Sequence, residues 1–143
     1  MKKMNNKGFS LIELIIVIAI MAILVAIIAP NLTKYLGKSK KKTDAKNADE
    51  IAQQLQTAIT DYETDNGALC ADDEDVKLKW NGSTAADNSG TVTAPTAFLT
   101  IVNDNVTNST KSKETGADAT ATIAKASGKY TITVTVGNES TSR

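Results

Sequence analysis

The sequence predicts an α+β fold: a long N-terminal helix, kinked part-way, packs by its second half on a small antiparallel β-sheet head. Three observations lead there. An apolar block fills residues 9–29, apolar residues then recur at three- and four-residue steps as far as Tyr62, and beyond Gly67 short alternating runs are separated by turn residues.

The apolar block holds a single charge, Glu13. As a helix it would extend about 30 Å, the thickness of a bilayer's hydrocarbon core. A cleavable secretory signal has a shorter apolar core followed by a small-x-small site, so a membrane helix is the better reading. Pro30 then removes one rung of the hydrogen-bond ladder, which kinks a helix without having to end it. Past Gly37, the residues Ala45, Ala48, Ile51, Ala52, Leu55, Ala58, Ile59 and Tyr62 form one apolar stripe. Asp49, Glu50, Gln53, Gln56, Thr60, Asp61 and Glu63 fall largely on the other faces. The helix is expected to reach about Thr64, where Asp65, Asn66 and Gly67 offer a closing turn.

The remainder reads as short strands. Residues 76–80 alternate apolar and polar before the turn pair Asn81-Gly82. Residues 120–125 and 130–136 alternate likewise around Ala126-Ser127-Gly128 and predict a hairpin. Periodicity leaves residues 98–102 open between strand and helix. Residues 83–90 and 103–116 read as exposed loops.

Composition narrows the chemistry. Sixteen basic residues balance sixteen acidic ones, so net charge does not indicate nucleic-acid binding. The chain has no His, which excludes a His-based triad and His-containing metal sites. Cys70 is the one cysteine, so an intrachain disulfide is impossible; it reads as a small packed thiol, with an intermolecular disulfide as the alternative. The row Asp72, Asp73, Glu74 and Asp75 lacks the alternating ligands and turn glycine of a calcium loop and reads as solvated. Trp80 on an alternating strand reads as core rather than as a sugar platform. Asn-x-Ser/Thr triplets stand at Asn81, Asn105, Asn108 and Asn138, and no phosphate-binding glycine loop is present. Neither an enzyme nor a cofactor is expected.

The most specific string is Lys7-Gly8-Phe9-Ser10-Leu11-Ile12-Glu13-Leu14 at the start of the apolar block. It resembles the processing site and N-terminal helix of proteins with class III signals, the type IV pilins and type II secretion pseudopilins, over about residues 2–36. The resemblance implies that a prepilin peptidase/methyltransferase cuts between Gly8 and Phe9 and methylates the new Phe9 amine. It also implies assembly roles for Glu13 and Pro30. The expected segments are then a cleaved leader (1–8), a hydrophobic transmembrane and assembly helix (9–30), its amphipathic continuation (31–66) and a β-rich head (67–143). One departure is Ala22, where many family members carry a glycine eight residues before the proline; alanine favours helix by about 1 kcal/mol. The lack of a second cysteine departs from the C-terminal loop common in Gram-negative pilins.

By this resemblance the precursor crosses the cytoplasmic membrane once and its partners are the pilus assembly machinery and copies of itself in a helical surface filament for adhesion, motility or biofilm formation. A pseudopilin of a secretion or competence DNA-uptake system is the alternative. A carboxylate such as Glu13 is costly in lipid unless paired, and the N-terminal amine of an adjacent subunit is the partner expected. Charge flanking points the other way on topology. Lys2, Lys3 and Lys7 precede the block, whereas Lys34, Lys38, Lys40, Lys41, Lys42 and Lys46 follow it, and the positive-inside rule alone would keep the C-terminal side in the cytoplasm. The processing motif is the more specific signal and places the leader inside. The later lysines are expected to touch lipid headgroups, or else the acidic row of another subunit.

Overall fold

A computed structural model describes residues 8–107 and 110–143. Residues 1–7, most of the expected leader, and Asn108 lie outside the described residues. The elements run α1 (Leu11–Asn66), β1 (Asp75–Asn81), β2 (Thr84–Asp87), α2 (Thr96–Asn105), β3 (Thr120–Ala126), β4 (Lys129–Val136) and β5 (Glu139–Ser142). By its contacts the chain divides into two units, Met1–Lys38 and Ser39–Arg143.

In the first unit every described residue from Gly8 to Leu36 is exposed. These include Ile12, Ile15, Ile16, Ile20, Leu24 and Ile28 on successive turns of α1. A helix apolar on all sides has no inner and outer face to choose between in water; it needs a lipid or protein environment around it. Within α1, a helix long and apolar enough to cross a membrane lies near the N-terminus, with none of its apolar window buried.

The second unit is an α+β layer pair. Ala48, Ile51, Ala52, Leu55, Ala58, Ile59 and Tyr62 from α1 share one core with Val76, Leu78 and Trp80 of β1, Ala121 and Ile123 of β3, and Ile132, Val134 and Val136 of β4. The sheet is antiparallel throughout, in the order β2-β1-β3-β4-β5. Its register lines the inward residues into rows. Val76 pairs with Ile123 and Ile123 with Ile132, while Leu78 pairs with Ala121 and Ala121 with Val134. Alternation alone dictates this, because a one-residue slip would turn every apolar side chain outward. Tyr62 and Phe98 add an edge-to-face contact at 5.7 Å between ring centroids, joining α1 to α2.

The ends follow local chemistry. Gly67 takes φ +80° and its N–H donates to the Glu63 carbonyl at 3.2 Å, the left-handed cap that closes α1. The β3–β4 hairpin turns on Ser127 and Gly128, both with positive φ.

Several expectations are corrected. Residues 83–90 are not simply loop: Thr84–Asp87 forms β2, paired with β1 and held at its outer edge where the Ala85 N–H donates to Asn103 Oδ1 at 2.7 Å. Its sequence, Thr-Ala-Ala-Asp, has no apolar alternation, so only the ladder reveals it. Residues 98–102 resolve as the middle of α2, with Phe98 and Val102 buried one turn apart. Residues 103–116 are not an exposed loop either, since Val106, Thr110 and Ser112 are buried. β5 was not expected, because its sequence Glu-Ser-Thr-Ser carries no apolar signal. In the helix stripe, Ala45 is exposed and Asp44 takes the buried place.

Candidate functional site

The segment expected to carry processing and assembly sits at the start of α1. Gly8, Phe9 and Ser10 precede the helix, and Phe9 is 93% exposed. The Ser10 carbonyl accepts from the N–H groups of Glu13 and Leu14 at 3.1 and 3.3 Å, which makes Ser10 the cap of the first turn. Glu13 then falls at the third helical position, where its Oε2 accepts the Ser10 N–H at 2.7 Å. This is the carboxylate half of a capping box, and a negative charge there also suits the helix dipole. An argument from charge in lipid overlooks this partner, although Ser-x-x-Glu before an apolar run signals it.

Gly8 has a different character. A Cβ there would meet nothing within 4 Å, and its φ does not lie in the left-handed region. Nothing among its described neighbours calls for a glycine. Pro30 lies farther along α1 and is not brought to the other three residues. The helix continues through it, and the Thr33 hydroxyl donates to the Ala29 carbonyl at 3.0 Å. Missing N–H and back-bonding threonine together weaken the ladder at this turn.

The second unit contains a polar junction that hydrophobic periodicity does not reveal. Asp44 is fully buried. Its Oδ2 accepts from the Ser112 hydroxyl at 2.6 Å and the Glu114 N–H at 3.1 Å, and its Oδ1 accepts from the Lys113 N–H at 2.7 Å. Burial pushes the Asp44 carboxyl up, but these donors together outweigh burial and hold it below the usual carboxylate range. Lys41 reaches Glu114 of the same loop at 3.6 Å. Gly137 leaves room for the junction: with φ +64°, a Cβ there would stand 2.4 Å from Ser112 Oγ.

Because the folded value is lowered, the Asp44 contribution is complete above the ordinary carboxylate pKa of about 3.9 and is lost as pH falls through the lowered value. Asp44→Ala strands a hydroxyl and two N–H groups, and is expected to cost the Ser39–Arg143 unit about 3 kcal/mol at neutral pH. Urea melts of both proteins from pH 7 to pH 2 check this: the gap between them should narrow toward the acid end.

The acidic row is largely committed within its own head. Asp72 accepts the Gly128 N–H at 3.0 Å, and Glu74 accepts the Ala71 N–H at 2.9 Å. Asp75 accepts the Thr91 N–H at 2.7 Å and meets Lys77 at 3.2 Å. The Thr91 bonds first, and Lys77 after them, hold the Asp75 carboxyl below its ordinary value. Among the described residues, no cluster of three or more His, Cys, Asp or Glu is placed to hold a metal ion. Trp80 is fully buried and presents no face to a sugar. Cys70 is buried too, and that burial pushes its thiol up, the environment of an inert packed cysteine. Tyr130 donates to Glu63 at 2.7 Å and accepts the Leu69 N–H at 3.0 Å, tying the end of α1 to the sheet. Burial and that bond to Glu63 leave its hydroxyl pushed up to about 12. Of the Asn-x-Ser/Thr asparagines, Asn81 and Asn138 are exposed, whereas Asn105 is half-buried and donates to Asp61 at 3.3 Å.

Comparison with known proteins bears on the N-terminal segment first. The family model of the prokaryotic N-terminal methylation motif matches residues 3–29. A fimbrial protein of Neisseria meningitidis is 34% identical over 117 residues, covering 76% of this chain and 63% of that protein. The ComG operon protein 3 homolog of Bacillus licheniformis is 36% identical over 63 residues, 44% of this chain and 61% of the relative. A type II secretion system core protein G of Aeromonas hydrophila is 33% identical over 86 residues, 60% of this chain and 57% of the relative. The chain thus spans less than two thirds of the length of each of these relatives. No solved structure matches it significantly. The methylation motif thus lies on the apolar start of α1, and the proteins to which this chain is similar are named as fimbrial, secretion and competence proteins.

Proposed function

We propose that this chain is a pilin, held in the membrane as a precursor by the apolar part of α1 and polymerised through that same helix into a surface filament serving adhesion, motility or biofilm formation. The observation that carries the reading is the exposed, largely apolar surface from Phe9 to Leu36 with one carboxylate in its first turn. Such a surface is stable in lipid, and equally stable when copies of the helix bury it against one another.

Removal of residues 1–8 joins the two states. The peptidase cuts between Gly8 and Phe9, and the constraint at Gly8 comes from that enzyme, whose approach to the backbone a side chain would obstruct. The freed and methylated Phe9 amine is a cation at the head of an apolar helix. Glu13 of a neighbouring copy is its counter-charge, so pairing sets the axial register of stacked subunits. Pro30 and the Thr33 back-bond give the helix a weak turn at which it adjusts to its neighbours. The Ser39–Arg143 unit, with its own core, is displayed on the outside. Residues 9–30 act as span and assembly surface, 31–66 as the amphipathic continuation and 67–143 as the head.

A second reading keeps the same assembly chemistry inside a shorter filament of a secretion or DNA-uptake system. It is favoured by relatives named type II secretion system core protein G and competence protein ComGC. Shearing cells that express the chain separates the two. Long filaments labelled by an antibody to the Ser39–Arg143 unit, with a subunit that mass spectrometry shows to begin at N-methylated Phe9, are expected for the pilin. A subunit recovered with Met1 at its start from cells that have the peptidase overturns the processing step.

A further inference from the structure

We propose that the lysines following the apolar stretch of α1 form a collar that docks on anionic phospholipid headgroups and sets the depth of the precursor in the membrane. Lys34, Lys38, Lys40 and Lys42 are exposed, and none of the four forms an ion pair among the described residues. Their neighbours differ: Lys41 is engaged with Glu114 and Lys46 with Glu50. At the rise of an α-helix, residues 34–42 occupy about 12 Å of axis. The headgroup layer just outside the hydrocarbon core is about 5–8 Å thick on each side, thinner than this stretch, and the outer lysines reach back to it through their extended stems.

Tyr35 gives an independent pointer to the same depth. Tyr35 is 70% exposed, near Leu32 at 52% and Leu36 at 51%. An aromatic ring with a polar tip, set where an apolar span ends, suits the membrane–water boundary. A competing partner for the lysines, the acidic row of the head, is largely engaged by its own backbone and by Lys77. The collar also gives a physical account of why so many lysines follow the span against the positive-inside rule: they hold that end at the surface rather than decide its side.

The proposal rests on α1 spanning the bilayer, and one preparation tests the two separately. The full precursor is reconstituted into vesicles of phosphatidylcholine alone and of phosphatidylcholine with one third phosphatidylglycerol. Retention through an alkaline wash reports the span. Each lysine's rate of acylation by a water-soluble amine reagent, read by peptide mass spectrometry, reports the collar. Lys34, Lys38, Lys40 and Lys42 are expected to react about five-fold more slowly on the anionic vesicles, as an attraction of one lysine to such a surface implies. In about 1 M salt, where the Debye length shrinks to roughly 3 Å, the difference should vanish. Lys79 and Lys129 on the head are the internal reference and should keep their rates. A chain retained by the vesicles whose four lysines react alike on both lipids, or slow only in step with Lys79 and Lys129, overturns the collar while leaving the span intact. A chain lost in the wash overturns both.

Discussion

Leu55→Asp is expected to leave the Ser39–Arg143 unit unfolded at room temperature. Leu55 is fully buried on the inner face of α1, in the core shared with β1, β3 and β4. The substitution removes a leucine whose burial is worth about 1.5–3 kcal/mol and puts an unpaired carboxylate in its place, at a further cost of several kcal/mol. A small domain has only about 5–15 kcal/mol to lose. Leu55→Ala is the control. A cavity alone costs about 2–5 kcal/mol, so that protein should fold and melt at a lower temperature. Thermal melts followed by circular dichroism distinguish the three proteins, and a normal melt for Leu55→Asp would mean that the stripe does not face the sheet.

Glu13→Ala is expected to lower filament yield at least ten-fold while membrane insertion and the melting of the Ser39–Arg143 unit stay unchanged. The variant loses two things at once, the counter-charge for a neighbouring amine and the acceptor for its own Ser10 N–H. Glu13→Gln separates them. Glutamine at the third helical position still caps the serine N–H, but it carries no charge. If subunit register depends on the ion pair, both variants fail to assemble. Filaments of normal yield from Glu13→Gln alone would assign Glu13 to the helix cap instead. Electron microscopy of sheared material, with precursor levels matched by immunoblot, reads the outcome.

How far the residues announce this architecture depends on the range of the forces involved. The apolar block, the stripe from Ala48 to Tyr62, the Gly67 cap and the β3–β4 hairpin are all encoded within a few neighbouring residues. They could therefore be placed from the chain alone. The α+β class and the use of α1 as one wall of the core also follow locally, because the rest of the chain is too poor in large apolar side chains to build a core unaided. The string around Gly8, Phe9 and Glu13 can likewise be read as a motif from its place at the start of the apolar block, and the methylation-motif match spans it.

Only the tertiary structure decided the remainder, and in each case the reason is a partner far away in sequence. Asp44 looks like an ordinary solvent-facing acid until Ser112, Lys113 and Glu114 arrive to satisfy it. β2 and β5 have polar sequences that no alternation rule detects, and they exist because β1 and β4 offer unpaired ladder groups. The acidic row reads as a solvated loop, yet it ties its own turn to Gly128 and Thr91. Buried polar groups are stable only when paired, and that pairing comes from the fold rather than from any neighbour in the chain.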